Sequence, residues 1–154
     1  MNKTQQLETQ DIAQLACAYE SRSPQEVLQW ALERFGTRLA LCTSFQVAGM
    51  VILDMAWRID PTVRVFTIDT GRLPQETYEL LDRVREQYHI EVEVYFPEAT
   101  QIESIVRQHG VNLFYQDTDL RMLCCHTRKV LPLRRVLEGL DAWVTGLRRD
   151  QNST

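Results

Sequence analysis

Between Leu123 and Leu137 two adjacent cysteines, Cys124 and Cys125, stand at the head of a dense cationic segment. From Arg121 to Arg135 there are five Arg or Lys side chains, together with His126, and no acidic residue. Thiolates are soft ligands suited to zinc or to iron–sulfur clusters. Guanidinium groups fork onto sulfate or phosphate, and an ammonium acts on them as a point charge. Lys129 stands out here, because the only other lysine in the chain is Lys3, against fifteen arginines. A soft-ligand pair beside anion-binding donors is equipment for a small anion held near a metal or redox centre. Plainer readings stay open: two buried structural cysteines, a cramped zinc site using His126, or a cationic helix face that is only solvated. On a regular helix Arg128 and Arg135 share a face, and Lys129 lies about 100° round from Arg128.

Three other stretches carry polar groups where chemistry needs them. Thr43-Ser44-Phe45 closes a short apolar run and opens a helix, so hydroxyls and free backbone N–H groups meet at a helix N-terminus that attracts anions. A simple cap is the bland alternative. Nothing matches Gly-x-x-x-x-Gly-Lys-Ser/Thr, which argues against a Walker-type NTPase. Asp69-Thr70-Gly71-Arg72 puts a carboxylate, a hydroxyl and a flexible backbone at a strand end, suited to a ribose hydroxyl or an adenine amine; an ordinary turn uses the same residues. Gly146-Leu147-Arg148-Arg149 follows a third apolar run.

The elements that must position these residues follow from periodicity. Asp11 to Tyr19 has helical spacing, and Ser23-Pro24 with Glu26 predicts a capping box for a helix ended by Gly36. Buried strands are expected at Arg38–Thr43, Val63–Ile68, Ile90–Phe96 and Ala142–Thr145. Helices are expected at Met50–Arg58, Gln75–Tyr88 and Thr100–His109, with one or two more over Leu123–Leu140. Strand and helix alternate with short connections, which predicts an α/β fold: a mostly parallel sheet, helices on both faces and right-handed crossovers. In such sheets ligands bind outside the carboxyl ends of strands, near the point where strand order reverses. The loops at Ser44–Gly49, Asp69–Pro74 and Gly146–Gln151 all follow strands and should converge there.

With 154 residues and 44% apolar content the chain suits one domain, residues 1–154, around a single core. A net charge of −4 argues against general nucleic-acid binding. The imbalance is local: seven of the seventeen Lys and Arg lie between Arg121 and Arg149, against Glu138 and Asp141 alone. No apolar run approaches the roughly 20 residues of a membrane span, and the polar N-terminus lacks a signal core. A cytoplasmic location with no membrane partner is expected, and a reducing compartment favours thiols or metal ligation for Cys17, Cys42, Cys124 and Cys125 over disulfides.

Taken together and in order, these pieces resemble the assimilatory adenylylsulfate reductases within the wider adenylylsulfate and phosphoadenylylsulfate reductase family. The matching residues are Ser44-Phe45, Phe66-Thr67-Ile68-Asp69-Thr70-Gly71-Arg72-Leu73 with Glu76-Thr77-Tyr78, Cys124-Cys125-x-x-Arg128-Lys129-Val130-x-Pro132-Leu133-x-Arg135, and Ala142-Trp143-x-Thr145-Gly146-x-Arg148-Arg149-Asp150-Gln151. The resemblance implies an adenine-nucleotide alpha-hydrolase-like fold and reduction of adenylylsulfate to sulfite and AMP, with thioredoxin or glutaredoxin as electron donor. It implies that Cys124 and Cys125 are two ligands of a [4Fe–4S] cluster, with Lys129 supporting catalysis between cluster and anion. Ser44, Phe45, Asp69, Thr70, Gly71, Arg72, Lys129, Gly146, Arg148 and Arg149 are then the substrate-binding set.

Residues 46–49 read Gln-Val-Ala-Gly, where the family has a glycine followed by small and acidic residues. The family's second cysteine pair and its nucleophilic cysteine have no counterpart before Thr154. The expectation is a domain lacking its C-terminal part, inactive alone, with an exposed sheet edge that favours association of copies. The alternatives are a phosphoadenylylsulfate reductase and a non-catalytic adenine-nucleotide-binding module. A related ATP-dependent pyrophosphatase needs a Ser-Gly-Gly-x-Asp-Ser loop, which Ser44-Phe45-Gln46-Val47 does not supply.

Overall fold

A computed structural model of the chain describes residues 9–147. The elements run α1 (Thr9–Ala18), α2 (Pro24–Phe35), β1 (Leu39–Cys42), α3 (Val47–Ile59), β2 (Arg64–Ile68), α4 (Gln75–Tyr88), β3 (Val92–Tyr95), α5 (Ala99–His109), α6 (Thr118–Cys125), a π-helical turn at His126–Val130, α7 (Leu131–Leu137) and β4 (Ala142–Thr145). The capping box forms as expected: the Ser23 N–H donates to Glu26 Oε2 at 2.8 Å, and the Glu26 N–H donates to Ser23 Oγ at 3.3 Å.

All strand pairings are parallel, in the order β3-β2-β1-β4. The alternating pleat sends successive residues to opposite faces. Leu39, Leu41 and Val65 face a core built with Leu28 and Leu32 of α2, Leu53 and Ala56 of α3, and Leu81 and Val84 of α4. Ala40 and Phe66 face the other way, onto Val136 of α7, with Leu133, Leu140, Ile68 and Tyr95 around them. Helices therefore cover both faces of a parallel sheet, as the alternating pattern predicts. A third cluster joins Ile105 of α5, Leu113 and Cys124 of α6, and it holds the cysteine-bearing helix in place.

Two ion pairs fix strand positions. Arg38 reaches Asp141 in a fork, Nε to Oδ2 at 2.7 Å and Nη2 to Oδ1 at 2.8 Å, and the Asp141 N–H donates to the Arg38 carbonyl at 2.9 Å. This pins the start of β4 beside the start of β1. Arg64 of β2 grips Glu93 of β3 through Nε at 2.9 Å and Nη2 at 3.1 Å, and the Tyr95 hydroxyl donates to the same carboxylate at 2.7 Å. The hydrogen bond from Arg64 is the main reason that the Glu93 carboxyl lies below its ordinary range. A carboxyl depressed in the folded state stabilises it above the unfolded pKa, and that contribution is lost as pH falls through the folded value. Thermal melts of wild type and Glu93→Gln should thus differ at neutral pH, with wild type higher, and converge as the pH is taken below about 4.

Over Leu123–Leu140, where one or two helices are expected, the chain forms the end of α6, the π-helical turn and α7. Asp117 starts α6 earlier, accepting the Leu120 N–H on its side chain at 2.8 Å. The Leu131 N–H then donates to the His126 carbonyl, a five-residue step that widens the turn after the cysteines. Arg128 and Arg135, on one face of a regular helix, consequently go to different places. Arg128 reaches the Thr70 carbonyl, and Arg135 reaches Glu98 and the Phe96 carbonyl.

Candidate functional site

Strand order reverses between β1 and β4, because β2 and β3 lie on one side of β1 and β4 on the other. Cys42 pairs with Thr145 at the carboxyl ends of these two strands. A cavity of about 800 Å³ opens there, lined among others by Thr43 to Gly49, Thr70, Lys129, Thr145 and Gly146. This is the position that the topology of an open parallel sheet dictates for a ligand.

The Thr43–Gly49 loop is built to present backbone donors. The Phe45 N–H donates to Thr43 Oγ1 at 2.9 Å, and Phe45 sits at φ 59, in the left-handed region. Its side chain is buried in the larger core cluster, so its backbone rather than its ring serves the cavity. Ser44, by contrast, is exposed. α3 begins at Val47, and Gln46 before it makes no side-chain capping bond, so the first-turn N–H groups are left for another acceptor. Gly146 explains how β4 closes against this turn: a Cβ there would lie 3.0 Å from the Gly49 nitrogen and 3.2 Å from the Ala48 carbonyl carbon.

Asp69 and Thr70 are both buried, and they shape the adjacent loop from within. Asp69 Oδ1 accepts the Gly71 N–H at 2.7 Å and the Tyr78 hydroxyl at 3.1 Å. Burial, then this bond to Asp69, raises the Tyr78 phenol above its ordinary range. Gly71 at φ 69 completes the turn. Thr70 faces the cavity, whereas Asp69 is not part of its lining. Arg72 turns away: Nη1 donates to the Val111 carbonyl at 2.9 Å, Nη2 to Asn112 Oδ1 at 3.1 Å, and its guanidinium stacks 4.3 Å from the Phe114 ring centroid.

A second cavity of about 520 Å³ lies next to the first. Its lining is Thr70, Arg72, Phe114, Tyr115, Arg121, Cys124, Cys125, Arg128 and Lys129, with no carboxylate. Cys124 is buried at the end of α6 and Cys125 is exposed, yet both reach this space. Lys129 lines both cavities. The π-helical turn brings this about, presenting Lys129 to the two spaces while Arg128 is drawn into the protein beside it. Among the described residues no group of three or more His, Cys, Asp or Glu side chains converges as a metal site. Cys42 lines the first cavity, and burial pushes its thiol up to about 11, so at neutral pH it is a protonated, weakly nucleophilic thiol.

Residues 38–154 match the phosphoadenosine phosphosulfate reductase domain. The chain belongs to that family. It is 43% identical over 143 residues to the adenosine 5'-phosphosulfate reductase of Pseudomonas aeruginosa strain LESB58, covering 92% of this chain and 52% of that protein. It is 42% identical over 146 residues to the chloroplastic 5'-adenylylsulfate reductase 3 of Arabidopsis thaliana, covering 95% of this chain and 31% of that one. The phosphoadenylyl-sulfate reductase of Candida auris, solved as a phosphate complex, superposes with a TM-score of 0.79 at 32% identity, over 94% of this chain and 70% of that one. The chain thus spans about half the length of the Pseudomonas relative. The fold is the adenine-nucleotide alpha-hydrolase-like one that the sequence resemblance implies.

Ser44, Phe45, Thr70, Lys129 and Gly146 of the expected substrate set come together around the first cavity. Arg72 lines the second, with Cys124 and Cys125. Asp69 and Gly71 lie in the loop between strand and helix without lining either cavity. Arg148 and Arg149 lie outside the described residues. The sequence does not point to the lining residues Phe114 and Tyr115. Thr43 is legible as a hydroxyl at a strand end just before a helix opening, whereas Phe114 and Tyr115 give no local signal.

Proposed function

We propose that the protein carrying this domain reduces adenylylsulfate to sulfite and AMP, using thioredoxin or glutaredoxin as electron donor in a reducing, cytoplasm-like compartment. The observation that carries this reading is the placement of Lys129 on both cavities, one at the topological switch point and one holding the cysteine pair. The first cavity takes the nucleotide, its phosphosulfate resting on the donors of the Ser44–Gly49 loop, on the N-terminus of α3 and on the Lys129 ammonium. Gly146 lets β4 approach that turn closely, and Thr70 borders the adenosine. Asp69 and Gly71 hold the shape of that border, with Arg148 and Arg149 adding positive charge.

Cys124 and Cys125 are the residues that would hold a [4Fe–4S] cluster. The second cavity fits such a group, because both soft donors open onto one space lined by cations and free of carboxylates. When bound, the cluster would supply an anionic metal–thiolate centre beside the cations that line this cavity. This chain's residues bind and orient the anion, neutralise its charge and offer two cysteines. After anaerobic iron–sulfur reconstitution of the protein, Cys124→Ser and Cys125→Ser should each reduce bound iron to less than half and remove the visible thiolate-to-iron absorption. Iron content equal to wild type in both variants would rule out the cluster assignment.

A phosphoadenylylsulfate substrate is the second reading, favoured by the name and phosphate complex of the Candida auris relative. Turnover with reduced thioredoxin decides between them. Sulfite and AMP formed one for one from adenylylsulfate support the first reading. Sulfite from the 3'-phosphorylated compound alone supports the second. Nucleotide binding with release of sulfite from neither would leave a binding module.

A further inference from the structure

Arg128 is buried, yet no ion pair accompanies it among the described residues. Its Nη1 donates to the Thr70 carbonyl at 2.7 Å, across 58 residues of sequence. Its Nε is buried and has no hydrogen-bond partner among the described residues. A Cβ on Gly71 would lie 3.4 Å from Nη1, so the glycine leaves the guanidinium its space under the loop. A buried cation with one backbone acceptor and a spare donor is costly until an anion joins it. Among the described residues, two cavities border this contact and could supply one. Arg128 lines the cavity of Cys124 and Cys125, while Thr70, which it grips, lines both cavities. Cys124 lies four residues before Arg128, near the end of α6, and Arg128 sits within the π-helical turn that follows.

The geometry points to Arg128 as a positioning residue that couples the cysteine pair to the nucleotide loop. It holds the Thr70 carbonyl with one nitrogen and offers its spare donor and its charge on the cysteine side. A nucleotide that settles the Thr70 loop thereby settles the turn carrying the cysteines, and by reciprocity the state of the cysteines alters nucleotide affinity. This inference rests on the nucleotide reading of the first cavity. It assigns to Arg128 a role apart from that of Lys129, since Arg128 does not line that cavity.

The test uses the metal-free, reduced chain and AMP as probe. Alkylation of Cys124 and Cys125 by iodoacetamide is followed peptide by peptide with and without saturating AMP, and AMP binding is measured by calorimetry. In wild type AMP should slow alkylation of the pair by about fivefold or more, within the usual range of coupling between sites. In Arg128→Met, which keeps an apolar stem but removes the donors, AMP should still bind while the slowing falls to nearly nothing. Arg128→Lys should restore part of it, which a purely structural role does not require. If Arg128→Met fails to fold, Arg128→Gln takes its place with the same expected loss. AMP that does not bind wild type would overturn the nucleotide reading, and the coupling with it. AMP that binds wild type without slowing alkylation, or that slows it equally in wild type and the Met or Gln variant, would overturn the coupling alone.

Discussion

Lys129→Ala is expected to weaken adenylylsulfate binding by roughly 10- to 100-fold, corresponding to the ~1.5–3 kcal/mol carried by a hydrogen bond to a charged group. Among the described residues, Lys129 is the one cation lining the switch-point cavity, whose other polar groups are hydroxyls, an amide, a thiol and backbone. Arg128, one residue earlier, cannot stand in for it, because its guanidinium is committed to the Thr70 carbonyl. Lys129→Arg should recover only part of the affinity, since a planar fork replaces a point charge in a space shared by two cavities. Calorimetric titration with adenylylsulfate and with AMP separates the contributions: the variant should lose more affinity for the sulfate-bearing ligand. Equal losses for the two would move Lys129 from the sulfate to the phosphate they share. Unchanged affinity for both would remove Lys129 from the site.

Phe66→Ala is expected to cost ~3–5 kcal/mol of stability. Phe66 is fully buried in β2, next to Ala40 and Val136, and its ring meets that of Tyr95 edge-on at 6.1 Å between centroids. It leads the largest fully buried side chains of the described residues, so its removal leaves a cavity where α7 is anchored. For a chain of this size the loss corresponds to a fall in melting temperature of roughly 6–20 °C. Val47→Ala, at a side chain 82% exposed, should stay within about 0.5 kcal/mol of wild type. Differential scanning calorimetry of the two variants checks both values. A drop below about 1 kcal/mol for Phe66→Ala would mean that α7 does not pack on this face.

The parts of the fold that depend on local pattern were legible in the residues. Short apolar runs marked every strand within a residue or two, and the spacing of Tyr78, Leu81, Val84 and Tyr88 marked α4 from end to end. Placement of β4 beside β1 was not legible in that way. It depends on pairing across the chain, with the Arg38–Asp141 contact 103 residues apart in sequence. The widened turn at His126–Val130 also escaped, because a periodic reading assumes a regular helix and a single extra residue shifts every later side chain. That shift separates Arg128 from Arg135 and lets Lys129 face two spaces. Asp69 drew attention as a carboxylate at a strand end, yet its oxygen is taken up by Gly71 and Tyr78, bonds that only the folded loop reveals. Arg72, named in the substrate-binding set, donates to Asn112 and stacks on Phe114, contacts that only the folded chain reveals.

The most direct test of the site as a whole is amide chemical-shift mapping of the isotopically labelled chain titrated with AMP. The expected result is saturable shifts concentrated on Ser44–Gly49, Thr70, Lys129 and Gly146, spreading to Cys124–Arg128 through the Thr70 contact, with β3 and α1 unmoved. Shifts centred on β3 and α5, or no saturable shift with AMP at millimolar concentration, would contradict the assignment of the switch-point cavity as the nucleotide site.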